Sequence, residues 1–476
     1  MQNYYRSIIP RLDGSSLKDD FPRYAALVRK GVAGFILFGG EVEQARHFIG
    51  KLQAESEYPL IIASDLERGL GQQLKGGTPF PPAMALAKAT RRGRGSGDLL
   101  LRKAFNALAE EARYAGINVI LAPVLDINTN PKNPIICTRS FGEDADTVSF
   151  FGGEMIRATQ ALGVAACAKH FPGHGDTSID SHISLPVVKR GLDELQKKEL
   201  VPFVRAVQCG VRMIMLGHLS VPAIDPSNIP LSISEKAVLY LRTHMKYHGL
   251  LITDAMNMGG LGGYSEEQAS LEAIRAGVDL LLHPSDTEKI VSFFKRRKVA
   301  FDGSRLDKFR RGLARVTPSS PPDFEINLGL SRLLAKKAIR TSGRFDIGRR
   351  PFLLILNDED EARGNVFSRR FQERVPGSAS RTLTRDAEVR RVAIPGKRPL
   401  IVAVFSETRA WKGGVSQWLY RQIEYLKDKA DLLVSFGSPY LFDMIEDTPK
   451  MFAYWDADAS QTAAADIIAE RCHPSA

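Results

Sequence analysis

Short apolar runs alternate with amphipathic stretches through the first two-thirds of the chain. Residues 34–38 are continuously apolar and stop at Gly39-Gly40, whereas residues 41–52 space their apolar side chains as a helix does. The same alternation predicts strands at 60–65, 117–126, 164–168, 213–218, 250–254 and 279–283. Helices are predicted between them at 100–115, 150–162, 192–208, 234–247 and 266–276. Strands that are apolar throughout and separated by helices form a parallel sheet covered on both faces. Seven such strands favour an α/β architecture of the (β/α)8 TIM-like barrel type over an open sheet. The pattern leaves the eighth strand unplaced.

The polar residues that end these runs carry the chemistry. Asp65, Asp126, Lys169-His170, His218, Asp254 and His283 each terminate one. In a parallel barrel all strand C-termini share one face, so these distant residues converge on one pocket. A strand-end carboxylate such as Asp254 can be a nucleophile, a metal ligand or a helix cap. The glycines of Met258-Gly259-Gly260 would let a ligand approach the backbone beside it.

Beyond residue 300 the pattern changes. Ser304 is placed to cap a closing helix, residues 318–322 (Pro-Ser-Ser-Pro-Pro) read as a linker, and residues 328–339 as a connecting helix. Buried-type strands at 351–356, 399–405 and 430–436, with a helix at 417–426, predict a smaller open α/β domain. At 476 residues the chain exceeds a single core. The expected division is a catalytic barrel at 1–317, a linker and connecting helix at 318–345, and the small domain at 346–476.

Composition narrows the function class. Hydrophobic residues at 44% and charged residues at 25% are those of an ordinary globular protein. The net charge of +11 would admit a nucleic-acid partner or an anionic substrate. The basic clusters at 295–298, 310–311 and 349–350 lack the interleaved aromatics of a single-strand binding surface, so they read as solvated faces and no nucleic acid is expected. Cys137, Cys167, Cys209 and Cys472 form no CxxC pair. The N-terminus has no signal-like apolar region and no run reaches the ~20 apolar residues of a membrane span. A cytoplasmic location without a membrane span is the expectation.

The densest chemistry lies in residues 168–182, where three histidines, two aspartates and a lysine occupy a segment that Pro172, Gly173 and Gly175 keep from being helical. Three readings compete. Buried scaffold histidines are disfavoured because Gly and Pro around His174 imply a surface loop. A metal site on His170 and His174 needs a helix for its i, i+4 spacing, and Pro172-Gly173 removes it. The preferred reading is an acid–base loop in which Asp180, two residues before His182, orients and polarises that imidazole.

Lys169-His170-Phe171-Pro172-Gly173-His174-Gly175 with Asp180-Ser181-His182, and Ile252-Thr253-Asp254-Ala255-Met256-Asn257-Met258-Gly259, resemble the β-N-acetylhexosaminidases of glycoside hydrolase family 3, in particular the NagZ-like branch. Residues 122–128, Asn130-Pro131-Lys132-Asn133-Pro134, Arg139-Ser140-Phe141-Gly142 and Met215-Leu216-Gly217-His218 agree, and the resemblance extends to about Leu313. It implies Asp254 as nucleophile, His182 as general acid/base and Asp180 as its partner. It also implies Asp65, Arg139, Lys169 and His170 as holders of the sugar hydroxyls, with His218 and Met256 among the substrate-binding residues and no metal or cofactor. A retaining glycosidase needs a carboxylate below the ring and a proton donor beside the leaving oxygen. Lys169 is expected to help hold Asp254 ionised.

The implied activity is a retaining exo-β-N-acetylglucosaminidase acting on an oligosaccharide or muropeptide. The alternatives are a β-N-acetylglucosaminide phosphorylase, a β-glucosidase of the same family, a metallohydrolase or a non-catalytic sugar-binding protein. Two departures stand out: Asp65-Leu66-Glu67-Arg68-Gly69-Leu70 replaces the family's Asp-x-Glu-Gly-Gly-Arg, and Gln73 stands where an arginine often binds sugar. Residues 435–440 resemble the second domain of longer family members, where scaffold or an aglycone-side wall is the expected role.

Overall fold

The computed structural model describes residues 3–17, 20–90, 96–313, 320–358, 363–385, 387–391, 398–406 and 414–472. Two compact units emerge. The first comprises Met1–Phe80, Leu101–Asn130 and Ser140–Leu328; the second comprises Pro81–Leu100, Pro131–Arg139 and Gly329–Ala476.

The first unit is built on one parallel sheet. Its strands are β1 (Ile8–Ile9), β2 (Arg11–Asp13), β3 (Gly34–Phe38), β4 (Ile61–Ser64), β5 (Val119–Ile120), β6 (Ala165–Phe171), β7 (Met213–Leu216), β8 (Leu250–Ala255) and β9 (Leu280–Leu282). They run in the order β1-β9-β8-β7-β6-β5-β4-β3-β2. β1 and β2 are one strand interrupted at Pro10: Ile8 pairs with Leu281 of β9, and Leu12 with Leu37 of β3. The Ile9 carbonyl accepts the His283 N–H at 2.8 Å, and the Pro10 carbonyl accepts the Ile36 N–H at 2.9 Å. This segment therefore joins the last strand to the second and closes the barrel. It is the strand that the hydrophobic pattern leaves unplaced, because a proline without a donor interrupts a short run.

Side chains alternate across each strand. Ile61 and Ala63, Ala165 and Cys167, Met213 and Met215, and Leu250 and Ile252 share one buried cluster with Leu306 and Phe309 of the helix Ser304–Arg311. The next position of the same parity is Asp65 on the first strand, Lys169 on the second and Asp254 on the last. The apolar filling thus gives way to polar side chains where the strands end. The pairing of β8 with β9 shifts register between Ile252 and Ala255, around Asp254.

Local signals predict several helices closely. Glu266–Ala276 is capped by Ser265, which accepts the Gln268 N–H, and ends at Gly277 with φ 96°. Elsewhere the structure corrects the pattern. The helix expected at 192–208 is two, Leu192–Lys197 and Val201–Gln208, because Pro202 fits only in a first turn. The segment expected as a helix at 234–247 is a short α-helix, Glu235–Leu239, followed by a π turn, Tyr240–His244. Ser304 does not cap its helix; its N–H and Oγ donate to the Asp302 carboxylate at 2.9 and 3.0 Å. Of the expected linker, residues 318–319 lie outside the described residues, and the connecting helix is Phe324–Ala338.

The second unit carries β10 (Arg340–Ser342), β11 (Phe352–Asn357), β12 (Ala379–Leu383), β13 (Leu400–Ser406), β14 (Leu432–Gly437) and β15 (Lys450–Phe452). Their order is β10-β15-β14-β13-β11-β12, and only β10 is antiparallel to its neighbour. Leu353, Ile355, Ile401 and Ala403 pack on one face with Phe367 and Phe371. Phe352, Leu354, Val402 and Val404 pack on the other with Trp418 and Ile423 of the helix Gln417–Leu426. The strands missed from sequence are those with exposed side chains, such as β10 and β12.

Candidate active site

The parity of β4 and β6 brings Asp65 and Lys169 together. Lys169 Nζ lies 2.7 Å from Asp65 Oδ1 and 2.7 Å from Glu67 Oε1. An ammonium has three donors and serves both carboxylates. Glu67 is a site residue that the sequence reading passed over; its spacing of two from Asp65 was the available signal. Gln73 donates from Nε2 to the Asp65 carbonyl at 3.4 Å, so this departure supports the same turn.

Asp254 is the penultimate residue of β8 and is buried. Burial alone would raise its pKa. The imidazoles of His170, His218 and His182, with the Ala255 N–H at 2.8 Å, outweigh burial and bring it down to about 2. The carboxylate is therefore ionised at every physiological pH. The rings of His170, His218 and His182 stand first among the groups that lower it, while Lys169 is paired to Asp65 and Glu67. No helix begins directly after Asp254, which removes the cap reading; the next element is the short turn Gly259–Leu261.

His170 and His174 are organised by one buried carboxylate. Asp126 Oδ2 accepts from His170 Nδ1 at 2.7 Å, and Asp126 Oδ1 accepts the His174 N–H at 2.7 Å. Burial pushes the Asp126 carboxyl up, but contact with His170 and His174 keeps it below its ordinary value. Asp126 appeared in the sequence only as a strand end. His174 is fully buried, its Nδ1 2.6 Å from Thr177 Oγ1, and burial pushes its imidazole down to about 4. The surface loop expected around His174 is thus a packed turn, and this histidine is scaffold. Gly and Pro gave the wrong impression because the turn folds back onto the barrel.

Asp180 and His182 form a compact dyad. Asp180 Oδ1 accepts the His182 N–H at 2.9 Å and lies 2.8 Å from His182 Nδ1. A carboxylate can only accept here, so Nδ1 carries a proton and Nε2 is the other functional nitrogen. The Asp180 side chain is 1% exposed and that of His182 is 20% exposed, so the imidazole is the accessible member. The loop is tied to β8 through the Gly259 N–H, which donates to the His182 carbonyl at 3.0 Å. A Cβ on Gly260 would fall 2.7 Å from the Ser181 carbonyl oxygen, so these glycines admit the histidine loop rather than a ligand.

Three expected sugar contacts have other surroundings. His218 is fully buried, with Nε2 3.0 Å from the Ala255 carbonyl and Nδ1 2.6 Å from Ser232 Oγ. The carbonyl fixes the proton on Nε2, and burial depresses the pKa, so a neutral His218 braces the peptide after Asp254. Met256 is buried and donates its N–H to the Leu282 carbonyl at 2.8 Å. Arg139 lies in the turn Cys137–Arg139 of the second unit and donates to the Ile135 carbonyl at 2.9 Å. Among the described residues, no cluster of three or more His, Cys, Asp or Glu side chains is arranged to hold a metal ion.

The family model "Glycosyl hydrolase family 3 N terminal domain" matches residues 15–309. A protein named beta-hexosaminidase A from Pseudoalteromonas piscicida is 33% identical over 317 residues, covering 60% of this chain and 52% of its own length. The chain thus spans about half of that relative. A glycoside hydrolase family 3 beta-N-acetylglucosaminidase from Paenibacillus sp. str. FPU-7 superposes with a TM-score of 0.85 at 25% identity, over 98% of this chain and 95% of that one. The beta-glucoside phosphorylase BglX shares the fold, with a TM-score of 0.82 at 19% identity over 99% and 92% of the two chains.

Proposed function

The chain belongs to glycosyl hydrolase family 3, and from that premise we propose that it is a retaining exo-β-N-acetylglucosaminidase with Asp254 as nucleophile and His182 as acid/base. The observation that carries this reading is a buried, ionised Asp254 with the rings of His170, His218 and His182 around it, the last paired to Asp180. The names of the relatives support the N-acetylglucosamine preference.

In the first step an Asp254 oxygen attacks the anomeric carbon as the glycosidic bond breaks, and the proton on His182 Nε2 passes to the departing oxygen. Asp180 steadies the imidazolium and holds Nδ1–H. Water then attacks the glycosyl ester, giving its proton to His182 Nε2 and releasing Asp254 as a carboxylate. Asp65, Lys169 and His170 are assigned to the sugar hydroxyls, with Glu67 setting the position of Lys169; Arg139 is assigned by family resemblance.

The natural substrate in this reading is a muropeptide with a terminal β-linked GlcNAc, handled in the cytoplasm. Support for the compartment comes from Cys137, Cys167, Cys209 and Cys472, which form no disulfide with one another. No helix among the described residues is long and apolar enough to cross a membrane. The proton carrier being an imidazole rather than a carboxylate favours one second reading, phosphorolysis, because an imidazole does not repel phosphate.

The deciding experiment is p-nitrophenol release from β-GlcNAc and β-glucose conjugates, with and without phosphate. We expect turnover of the GlcNAc conjugate, unchanged by phosphate and reduced by at least ~10³-fold in Asp254→Asn. Acceleration by phosphate would establish the phosphorylase. No turnover of either conjugate by folded protein would sink both.

A further inference from the structure

The dyad sits on a loop whose base is closed by Arg190, which donates from Nε to Asp176 Oδ2 at 2.9 Å. Three further attachments hold this loop to the barrel. The His182 carbonyl accepts the Gly259 N–H, Leu185 packs over Gly262, and Pro186 and Val188 exchange hydrogen bonds with Ser220. These attachments use Leu185 and the backbone, and they leave other apolar side chains outward. Ile179, Ile183 and Val187 are 44%, 56% and 45% exposed.

Singly exposed apolar residues are ordinary on a protein surface. Here three of the twelve exposed large hydrophobics among the described residues fall within residues 179–187, so the exposure is concentrated at one place. That place flanks His182. From residue 177 to residue 188 the only ionisable side chains are Asp180, which is buried, and His182. Between these residues the loop therefore offers branched aliphatic surface, with His182 as its one accessible titratable side chain.

We propose that Ile179, Ile183 and Val187 form an apolar platform for the leaving group, so that the enzyme prefers an aglycone that turns an apolar face to this loop. The proposal rests on His182 being the proton donor. A donor must come within about 3 Å of the leaving oxygen, so whatever that oxygen carries lies against the residues flanking His182. A charged group laid directly on these aliphatic side chains would lose its hydration without compensation. An alkyl, aryl or anhydro-sugar face would instead cover the isoleucines.

Hexyl and methyl β-GlcNAc release alcohols of nearly equal acidity, so the ratio of their kcat/KM values reports aglycone contact rather than leaving-group chemistry. The wild type should favour the hexyl glycoside by on the order of tenfold, and the Ile179→Ser, Ile183→Ser double variant should bring the ratio to within about twofold of unity. Ile183→Lys should move the preference toward an ω-carboxypentyl β-GlcNAc, a gain that misfolding cannot produce. A wild-type ratio near one, or a ratio undiminished in the double variant, overturns the platform and leaves the hydrolase reading standing. Folded wild type that turns over none of the glycosides overturns the hydrolase reading and the platform with it.

Discussion

One oxygen of Asp180 holds both the backbone N–H and the ring of His182, so the imidazole is aimed by a partner only two residues away. Asp180→Asn keeps the shape but replaces the charge, and kcat should fall by about 10²–10⁴ with little change in KM, read on the p-nitrophenyl glycoside. A fall in KM affinity with kcat intact would remove Asp180 from the proton pathway. His174 makes a different kind of contribution. Burial lowers its pKa from 6.5 to about 4, so between these values the unfolded chain binds more protons than the folded one. The stability it contributes is fully present above pH 6.5, declines as the pH falls to about 4, and changes no further below that. The loss amounts to at most about 3 kcal/mol. Urea denaturation across this range should show the slope in wild type and a flatter one in His174→Gln; equal slopes would show that other groups dominate.

Where β8 ends, backbone meets backbone. A Cβ at Gly259 would lie 2.6 Å from the Ile183 carbonyl oxygen, and one at Gly260 would lie 2.8 Å from His218 Cβ as well as close to Ser181. Carbonyls held by packed chain do not yield as a flexible side chain does, so the histidine loop must shift. Gly260→Ala should cost about 1–3 kcal/mol of stability and lower kcat through displacement of His182 while Asp254 stays in place. Trapping of the glycosyl-enzyme with a fluorosugar would check the second half: labelling that persists with slowed turnover fits, and loss of labelling does not. Strand parity belongs to this scale too. Ile61-Ala63-Asp65, Ala165-Cys167-Lys169 and Leu250-Ile252-Asp254 each run apolar, apolar, polar along one side, a pattern present in the sequence itself. His218 follows Met213 and Met215 out of that parity, and its two internal hydrogen bonds agree with it.

For the whole barrel unit, the decisive element is the segment that carries β1 and β2. Its carbonyls hold β9 on one side and β3 on the other, so its removal would leave two parallel edges open. A chain lacking residues 1–13 should lose cooperative thermal unfolding and elute as aggregate in size-exclusion chromatography; a monomeric, cooperatively unfolding product would show that closure is dispensable. The sequence by itself determined the strand cores, the helix Glu266–Ala276 with both its caps, and the Asp180–His182 pair. Each depends on residues within a few positions of one another, where spacing and stereochemistry decide. Only the tertiary structure decided that Ile8–Ile9 and Arg11–Asp13 close the barrel and that His174 is buried. It also decided that three histidines surround Asp254 and that Lys169 answers Asp65, a residue 104 positions away. Those outcomes follow from burial and charge pairing between segments distant in the chain, and no local pattern encodes which distant partner arrives.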